Sequence, residues 1–179
     1  MLYFKKMKKE HLRQVLHWRT LPEVTRFMYT DIEPSIEEQA AWFNRVSQDT
    51  RQKYWIVCLN DEEIGLVSLN DIDNTHSRCS WAYYIGEAKH RLVGGMLAPY
   101  LYNYAFHQLG LNKVSGEVMS GNENVRKMHL LQGCREVGVL KRHIYKYGEY
   151  HDVFMYEMLK EEWTLLSDRY GHCIAEFEE

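Results

Sequence analysis

The chain has 179 residues, of which 45% are hydrophobic and 26% are charged. This length is typical of one domain, and the composition supports a substantial core and excludes a disordered chain. The net charge is −3, from 22 basic and 25 acidic side chains, which gives no electrostatic reason to expect binding to nucleic acid or to an acidic membrane.

The first half of the chain predicts one strand, two helices and then three strands. The apolar spacing favours a strand at 2–4, helices at 10–18 and from 35 onward, and strands at 54–59, 64–69 and 78–85. Ser35 and Glu38 form a capping box that opens the second helix. A turn at 60–63 joins the strands at 54–59 and 64–69 into a hairpin.

The spacing becomes helical after residue 94. The apolar pattern predicts a helix over 94–109 that Gly110 ends, and Pro99 is placed in its first turn, where a missing N–H does no harm. A strand at 113–119, a helix at 123–132 and a hairpin with arms at 137–145 and 153–159 follow. Residues 164–179 are predicted to be a tail or peripheral helix beyond a domain spanning 1–163.

The predicted order is β-α-α-β-β-β-α-β-α-β-β. Hairpins followed by strand-helix-strand units imply an α/β or α+β domain, with a mixed central sheet of about seven strands and about four helices. The helix after residue 94 joins two strands that should run parallel.

Four cysteines occur without a CxxC pair and without a histidine at metal-ligand spacing, so no metal site is predicted. The charged N-terminal segment has no apolar stretch behind it, and no run reaches the roughly 20 apolar residues of a membrane span. These features favour a cytoplasmic protein with reduced cysteines.

A basic loop with two glycines lies between an apolar strand and the long helix. Free N–H groups at the helix start, the helix dipole and the close backbone approach that Gly94 and Gly95 permit are typical of an anion site. Arg91 can add a charge-assisted contact. The segment is neither a Walker loop nor a GxGxxG fingerprint. A plain strand-to-helix turn would have the same two glycines, so this loop alone leaves both interpretations open.

Three segments, in order, resemble the GNAT (GCN5-related N-acetyltransferase) superfamily over about residues 2–163. Residues 80–85, Ser-Trp-Ala-Tyr-Tyr-Ile, resemble the central strand that lines acetyl-CoA. Residues 91–96, Arg-Leu-Val-Gly-Gly-Met, resemble the Arg/Gln-x-x-Gly-x-Gly/Ala pyrophosphate loop, with Met96 where a small residue is usual. Residues 122–134 resemble the Asn-x-x-Ser…Leu-Tyr-Glu-Lys-x-Gly-Phe block, with Val125, His129 and Cys134 replacing Ser, Tyr and Phe.

The resemblance implies an N-acetyltransferase that uses acetyl-CoA and passes the acetyl group directly to a substrate amine. The implied cofactor-binding residues are Tyr83, Tyr84, Ile85, Arg91, Leu92, Val93, Gly94, Gly95, Met96, Asn122 and Arg126. A backbone N–H near Tyr83 to Ile85 would stabilise the oxyanion.

Two side chains are the catalytic candidates. His129 stands where many GNAT members carry the tyrosine that protonates the thiolate. Its reference pKa of about 6.5 would leave it partly protonated at neutral pH; the alternative is a helix residue near the cofactor. Glu117 would deprotonate the amine or bind the substrate, and the alternative is a solvated strand carboxylate.

Blocks at 18–30, 35–43, 150–153 and 161–163 resemble the GNAT branch that acetylates a UDP-linked 4-amino-4,6-dideoxy sugar in pseudaminic acid biosynthesis, which serves flagellin glycosylation. The implied substrate-binding residues are Arg19, Met28, Tyr29, Trp42 and Trp81. Their aromatic and methionine side chains would stack a uracil ring, and Arg19 would meet a diphosphate. Core packing is the alternative for Trp42 and Trp81.

Two other functions stay open. Ribosomal-protein acetyltransferases share the Trp-Arg opening and much of the block order, so the amine of a protein N-terminus or another small amine is an alternative acceptor. A non-catalytic acyl-CoA-binding or sensing domain is the alternative of another class, because the usual tyrosine is replaced. The resemblance allows a homodimer, and the sequence does not determine the oligomeric state.

Overall fold

A computed structural model describes all 179 residues and contains one seven-stranded sheet, in the order β1-β2-β3-β4-β5-β7-β6. The strands are β1 (Leu2–Lys6), β2 (Lys53–Leu59), β3 (Glu62–Asp73), β4 (Arg78–Ile85), β5 (Lys113–Met119), β6 (Arg135–Lys146) and β7 (Glu149–Leu159). Neighbouring strands are antiparallel except β4 and β5, which are parallel. The predicted mixed sheet is confirmed, with strand ends shifted by several residues.

The helices are α1 (Leu12–Thr20), α2 (Pro22–Thr25), α3 (Ile36–Val46), α4 (Gly94–Asn103), α5 (Glu123–Leu131), α6 (Lys160–Thr164) and α7 (Ser167–Tyr170). Four of them span nine or more residues, in agreement with the prediction of about four helices. Ser35 is the N-cap of α3, and its hydroxyl accepts the Glu38 N–H at 3.2 Å. None of these helices is both long and apolar enough to cross a membrane.

Side chains along β4 alternate between the two faces of the sheet. Trp81 and Ile85 belong to the large core that α4 covers, and Tyr83 packs against that core. Tyr84 packs against the smaller core on the opposite face, where α1 and α3 lie. Successive strand residues point to opposite faces, so β4 supplies side chains to both layers of the molecule.

The position of Pro99 differs from the prediction. A 3-10 turn over Ala88–Val93 runs directly into α4, so Pro99 is in the interior of the helix and not in its first turn. An interior proline leaves the carbonyl four residues earlier, that of Gly95, without its usual N–H donor. The helix then widens into a π-helical segment, Tyr104–Gln108, where the Leu109 N–H donates to the Tyr104 carbonyl at 3.0 Å.

The last residues pack into the core beside β1. Phe177 pairs with Phe4 through a parallel bridge, and the two rings stack with their centroids 4.2 Å apart. The Trp55 indole N–H donates to the Glu178 carbonyl at 3.0 Å. The segment predicted as a peripheral tail therefore contributes a buried aromatic side chain to the large core.

Candidate active site

The parallel pair β4 and β5 separates halfway along its length. Pairing covers only three positions, Arg78 with Lys113, Cys79 with Val114 and Ser80 with Ser115. Beyond them β4 stays on β3 and β5 stays on β7. The backbone groups of residues 81–85 that face away from β3 therefore have no β5 partner and are available to a ligand. We call the resulting gap, a cavity of about 370 Å³, the interstrand cleft.

Six of the residues implied for cofactor binding line the interstrand cleft: Tyr83, Tyr84, Ile85, Arg91, Gly94 and Asn122. The other loop residues continue the adjoining turn and helix start, with Leu92 93% and Met96 58% exposed. Both catalytic candidates, Glu117 and His129, also line the cleft. Sequence reasoning therefore identified residues that the fold brings to one cavity.

The two loop glycines have different surroundings. A Cβ atom on Gly94 would lie 2.9 Å from Cε2 of Tyr83, so the loop packs directly on that ring. A Cβ on Gly95 would meet only the Met128 sulfur, at 3.5 Å, which is ordinary contact. The Gly94 N–H donates to the Arg91 carbonyl within the 3-10 turn, so it is not free as the sequence had suggested.

The guanidinium of Arg91 is held at the edge of the cleft by an ion pair. Its Nη2 donates to Oε1 of Glu23 on α2. The pKa of the Glu23 carboxyl lies below its usual value, because its own backbone N–H donates to it and the Arg91 charge is close. A phosphate group that binds Arg91 would have to compete with this carboxylate.

The expected contact from Arg126 to the cofactor is not supported by its position. Arg126 does not line the interstrand cleft. Its guanidinium donates to Glu123, Glu136 and the Tyr156 hydroxyl and lies 3.3 Å from the centre of the Phe154 ring. These contacts fix α5 onto the β6–β7 hairpin, which is a structural role.

His129 is buried, with 3% of its surface exposed. Its ring stacks on Tyr156 at 5.0 Å, meets Trp81 edge to face at 5.6 Å, and has Nδ1 3.8 Å from the Cys134 sulfur. Burial lowers the pKa of His129 to about 4. The expectation of a partly protonated imidazole at neutral pH is therefore wrong, because desolvation disfavours the charged form. A neutral His129 can donate one N–H as a hydrogen bond.

This burial predicts how stability depends on pH. The pKa of His129 falls from 6.5 in the unfolded chain to about 4 in the folded one, so the unfolded state binds the extra proton between these values. Stability is therefore complete above pH 6.5 and decreases below it, by up to about 1.4 kcal/mol per pH unit. Chemical unfolding of wild type and His129→Phe from pH 7 to 4.5 should show a shallower slope in the variant. An equally shallow slope in the exposed control His107→Phe would contradict this.

A second cavity, of about 610 Å³, lies on the opposite face of the sheet and is lined by α1, α3 and the loop after α2. We call it the acceptor pocket. Of the residues implied for substrate binding, Arg19, Met28 and Trp42 line it. Met28, Ala82, Tyr83 and Tyr84 line both cavities. The acceptor pocket and the interstrand cleft therefore meet at the open half of β4.

The acceptor pocket contains neutral polar side chains that the sequence analysis missed. Gln39 is 7% and Ser68 is 5% exposed, and both line the pocket together with Asn70. The Ser68 hydroxyl accepts a hydrogen bond from the Asn70 amide at 3.0 Å, and the Gln39 amide makes no side-chain hydrogen bond within the protein. The ring of Trp42 packs edge to face on Tyr54, 5.2 Å away. The pocket combines flat apolar walls and neutral polar groups with four charged side chains, those of Arg19, Glu33, Glu38 and Arg45.

Trp81 does not belong to this surface. It is 6% exposed, faces α4 and stacks on Tyr83 with ring centroids 5.2 Å apart. Its indole N–H is buried without a partner. The single stacking surface expected from Met28, Tyr29, Trp42 and Trp81 is therefore divided, because residues 81 and 82 of one strand point to opposite faces.

The loop between α2 and α3 is fixed by a buried lysine that the sequence analysis did not identify. The Lys146 side chain, 6% exposed, donates from Nζ to the carbonyls of Thr25 at 2.5 Å and Met28 at 2.8 Å. It also pairs with Asp31 at 2.9 Å. Hydrogen bonds from Thr25 and Lys146 lower the pKa of Asp31 to about 2. The positively charged Lys146 side chain thus fixes the loop that carries Met28.

Arg19 also fixes this loop, through side-chain hydrogen bonds. Its Nη1 donates to the Thr25 hydroxyl at 3.0 Å and its Nη2 to the Thr30 carbonyl at 2.8 Å. Burial lowers the pKa of this guanidinium. Arg19 lines the acceptor pocket as predicted for a substrate contact, but some of its donors are already used by the loop.

Tyr29 connects this loop to β5 across the interstrand cleft. Its hydroxyl donates a hydrogen bond to Oε2 of Glu117. Burial, followed by the neighbouring carboxylate, raises the pKa of Tyr29, so the phenol keeps its proton at neutral pH. An oriented carboxylate therefore stands in the cleft opposite the open half of β4.

These features define a class of enzyme in which one ligand lies between two diverging parallel strands and a second ligand reaches it from the opposite face. Comparisons with known proteins agree. The family model for the acetyltransferase (GNAT) domain matches residues 1–135. The acetyltransferase PseH of Campylobacter jejuni is 27% identical over 128 residues, covering 70% of this chain and 78% of that protein.

The putative ribosomal N-acetyltransferase YdaF of Bacillus subtilis is 31% identical over 100 residues, which is 55% of each protein. The fold is similar to that of the spermidine N-acetyltransferase of Vibrio cholerae in complex with CoA and spermine, with a TM-score of 0.85 and 20% identity over 91% of this chain and 98% of that one.

The chain belongs to the GNAT acetyltransferase family. It is an acetyltransferase, and its acyl donor is acetyl-CoA, as the three sequence segments predicted. The interstrand cleft fits this donor, because β5 leaves the backbone of residues 81–85 without a strand partner on that side.

Proposed function

We propose that this enzyme transfers the acetyl group to the amine of a UDP-linked 4-amino-4,6-dideoxy sugar, as in pseudaminic acid biosynthesis. The observation that carries the proposal is the junction of the acceptor pocket with the interstrand cleft at Met28 and Tyr84. An amine at this junction reaches the open half of β4, while the rest of its molecule occupies the pocket. The sequence similarity to the acetyltransferase PseH supports the same branch that the sequence blocks resemble.

The chemistry of the pocket favours a nucleotide sugar over a polyamine. Flat side chains such as Trp42 suit stacking of a pyrimidine base, and neutral groups such as Gln39 and Asn70 suit hydroxyl and amide groups. Its volume, about 610 Å³, lies within the usual range for small-molecule sites. A polyamine would instead require carboxylates along its length. The two in this pocket, Glu33 and Glu38, are both exposed.

The proposed reaction is a direct transfer. Bound acetyl-CoA supplies the acetyl group as a thioester. Glu117 takes the proton of the substrate ammonium, and the Tyr29 hydroxyl keeps this carboxylate in place. A backbone N–H from residues 81–85 donates to the oxygen that becomes negative. The amine would form a bond to the thioester carbon as the carbon–sulfur bond breaks. The second proton that the nitrogen loses would pass to the departing thiolate, and the neutral His129 would donate a hydrogen bond to this sulfur, because it has no extra proton to transfer.

A panel of amines tests the acceptor. Release of free thiol from acetyl-CoA should be fastest with the UDP-linked 4-amino-4,6-dideoxy sugar, and slower by at least about 100-fold with spermidine, a ribosomal-protein N-terminal peptide or the free amino sugar without UDP. A preference for the peptide or for spermidine would replace the proposed acceptor. Tight CoA binding without turnover on any amine would indicate a sensing domain.

Replacement of the base tests the mechanism. Glu117→Gln keeps the shape of the side chain and removes its basicity, so kcat with the best acceptor should fall about 100-fold or more. Binding of CoA, measured by calorimetry, should not change. The matched control is Glu123→Gln, a change at an exposed carboxylate on α5 that does not line the cleft. Wild-type kcat in Glu117→Gln would exclude the proposed role.

A further inference from the structure

A buried glutamine supplies the hydrogen bond that Pro99 removes from α4. The Gly95 carbonyl would normally accept the N–H of residue 99, which proline lacks. Nε2 of Gln132 donates to this carbonyl at 2.8 Å. Gln132 follows the last turn of α5 and is 5% exposed. One side chain from α5 thus completes the first part of α4.

The oxygen of the Gln132 amide shows that Gly95 determines the orientation of this amide. Its Oε1 is buried and has no hydrogen-bond partner. Turning the amide over would bring Oε1 against the Gly95 carbonyl, so two acceptors would face each other. The observed orientation is the favourable one, although it leaves a buried acceptor unpaired, which is rare and destabilising in folded proteins.

The bond lies at the part of the chain that receives the cofactor. Gly95 belongs to the 91–96 segment and lies in the first turn of α4. Its carbonyl shares one planar peptide unit with the Met96 N–H, so fixing one group fixes the other. The helix that Gln132 follows carries His129 and begins beside Asn122, and both of these residues line the interstrand cleft. Gln132 therefore ties the pyrophosphate loop to the helix on the other side of the cleft.

We propose that Gln132 is a positioning residue for acetyl-CoA, which acts by holding the Gly95 carbonyl and the peptide plane of the loop. The proposal depends on the acyl donor and not on the identity of the acceptor amine. Its test is direct binding of CoA, so it is independent of the amine panel.

Calorimetric titration with CoA distinguishes positioning from general support of the fold. Gln132→Met keeps the length of the side chain and removes the donor, so Kd for CoA should rise about tenfold while kcat at saturating acetyl-CoA stays within about twofold. Pro99→Ala restores an N–H that can donate to Gly95. In Pro99→Ala/Gln132→Met, Kd should therefore return to within about threefold of wild type.

The controls make the test decisive. Gln108→Met changes an exposed glutamine at the end of the π-helical segment and should leave Kd unchanged. Where Gln132→Met is insoluble, Gln132→Leu also removes the amide donor and is compared in the same way. An unchanged Kd in the Gln132 variant, or a Kd that Pro99→Ala does not restore, would overturn the proposal.

Discussion

Gly86→Ala is expected to destabilise the protein by about 3 kcal/mol or more, since overpacking of a rigid site costs this much. Gly86 follows β4, and its N–H donates to the Ile64 carbonyl at 2.9 Å. A Cβ atom there would lie 2.0 Å from two ring atoms of Trp18. Trp18 is fully buried, and its indole N–H donates to Glu87 at 2.9 Å, so the ring has no room to move.

Thermal unfolding measures this effect. A loss of this size should lower Tm by roughly 6–12 °C in a protein of this length. The matched control is Gly138→Ala on β6, where an added Cβ meets no atom within 4 Å. The control should stay within about 0.5 kcal/mol of wild type. If the two variants unfold at the same temperature, the close packing of Gly86 on Trp18 does not constrain the chain.

Lys146→Met should impair use of the amine far more than binding of CoA. The change leaves the Thr25 and Met28 carbonyls without their donor and Asp31 without its cation. Hydrogen bonds to a charged donor are each worth about 1.5–3 kcal/mol, and a displacement of about 1 Å in a positioning loop costs about 100-fold in rate. We therefore expect kcat/KM for the acceptor to fall about 100-fold.

Kd for CoA shows whether the effect of Lys146→Met is confined to the acceptor loop. Kd for CoA should change by less than about twofold, because Lys146 does not line the interstrand cleft. Lys127→Met, at an exposed lysine of α5, is the matched control and should behave as wild type. A rise in Kd for CoA as large as the loss in kcat/KM would mean that Lys146 supports the whole fold and not the acceptor loop.

The elements with strong local signals could be predicted from the sequence. The hairpin between β2 and β3 is an example, because Asn60 and Asp61 adopt φ values of 49° and 70°, which these residue types tolerate. The start of the long helix at Gly94 was also predicted, but Pro99 was placed in its first turn and lies in its interior. The donor that replaces the missing N–H of Pro99 comes from Gln132, a partner that the local pattern does not indicate.

Site residues that belong to a sequence motif could be predicted. Residues whose hydrogen-bond partners are distant backbone carbonyls could not. Lys146 contacts a carbonyl 118 residues away, and Gln132 contacts one 37 residues away. Every residue has a carbonyl, so the sequence contains no signal for such partners. Trp81 is a different case. Strand periodicity places Trp81 on the face opposite Ala82 and Tyr84, and therefore on the face of the large core and not on the face where α1 and α3 lie.

The meeting of the two cavities at β4 has a kinetic consequence. Acetyl-CoA and the acceptor would lie on opposite sides of the strand and share only the junction at Met28 and Ala82 to Tyr84. Neither molecule would occupy the route by which the other arrives, so no product has to depart before the second substrate binds. We therefore expect a sequential mechanism through a ternary complex and not a double displacement.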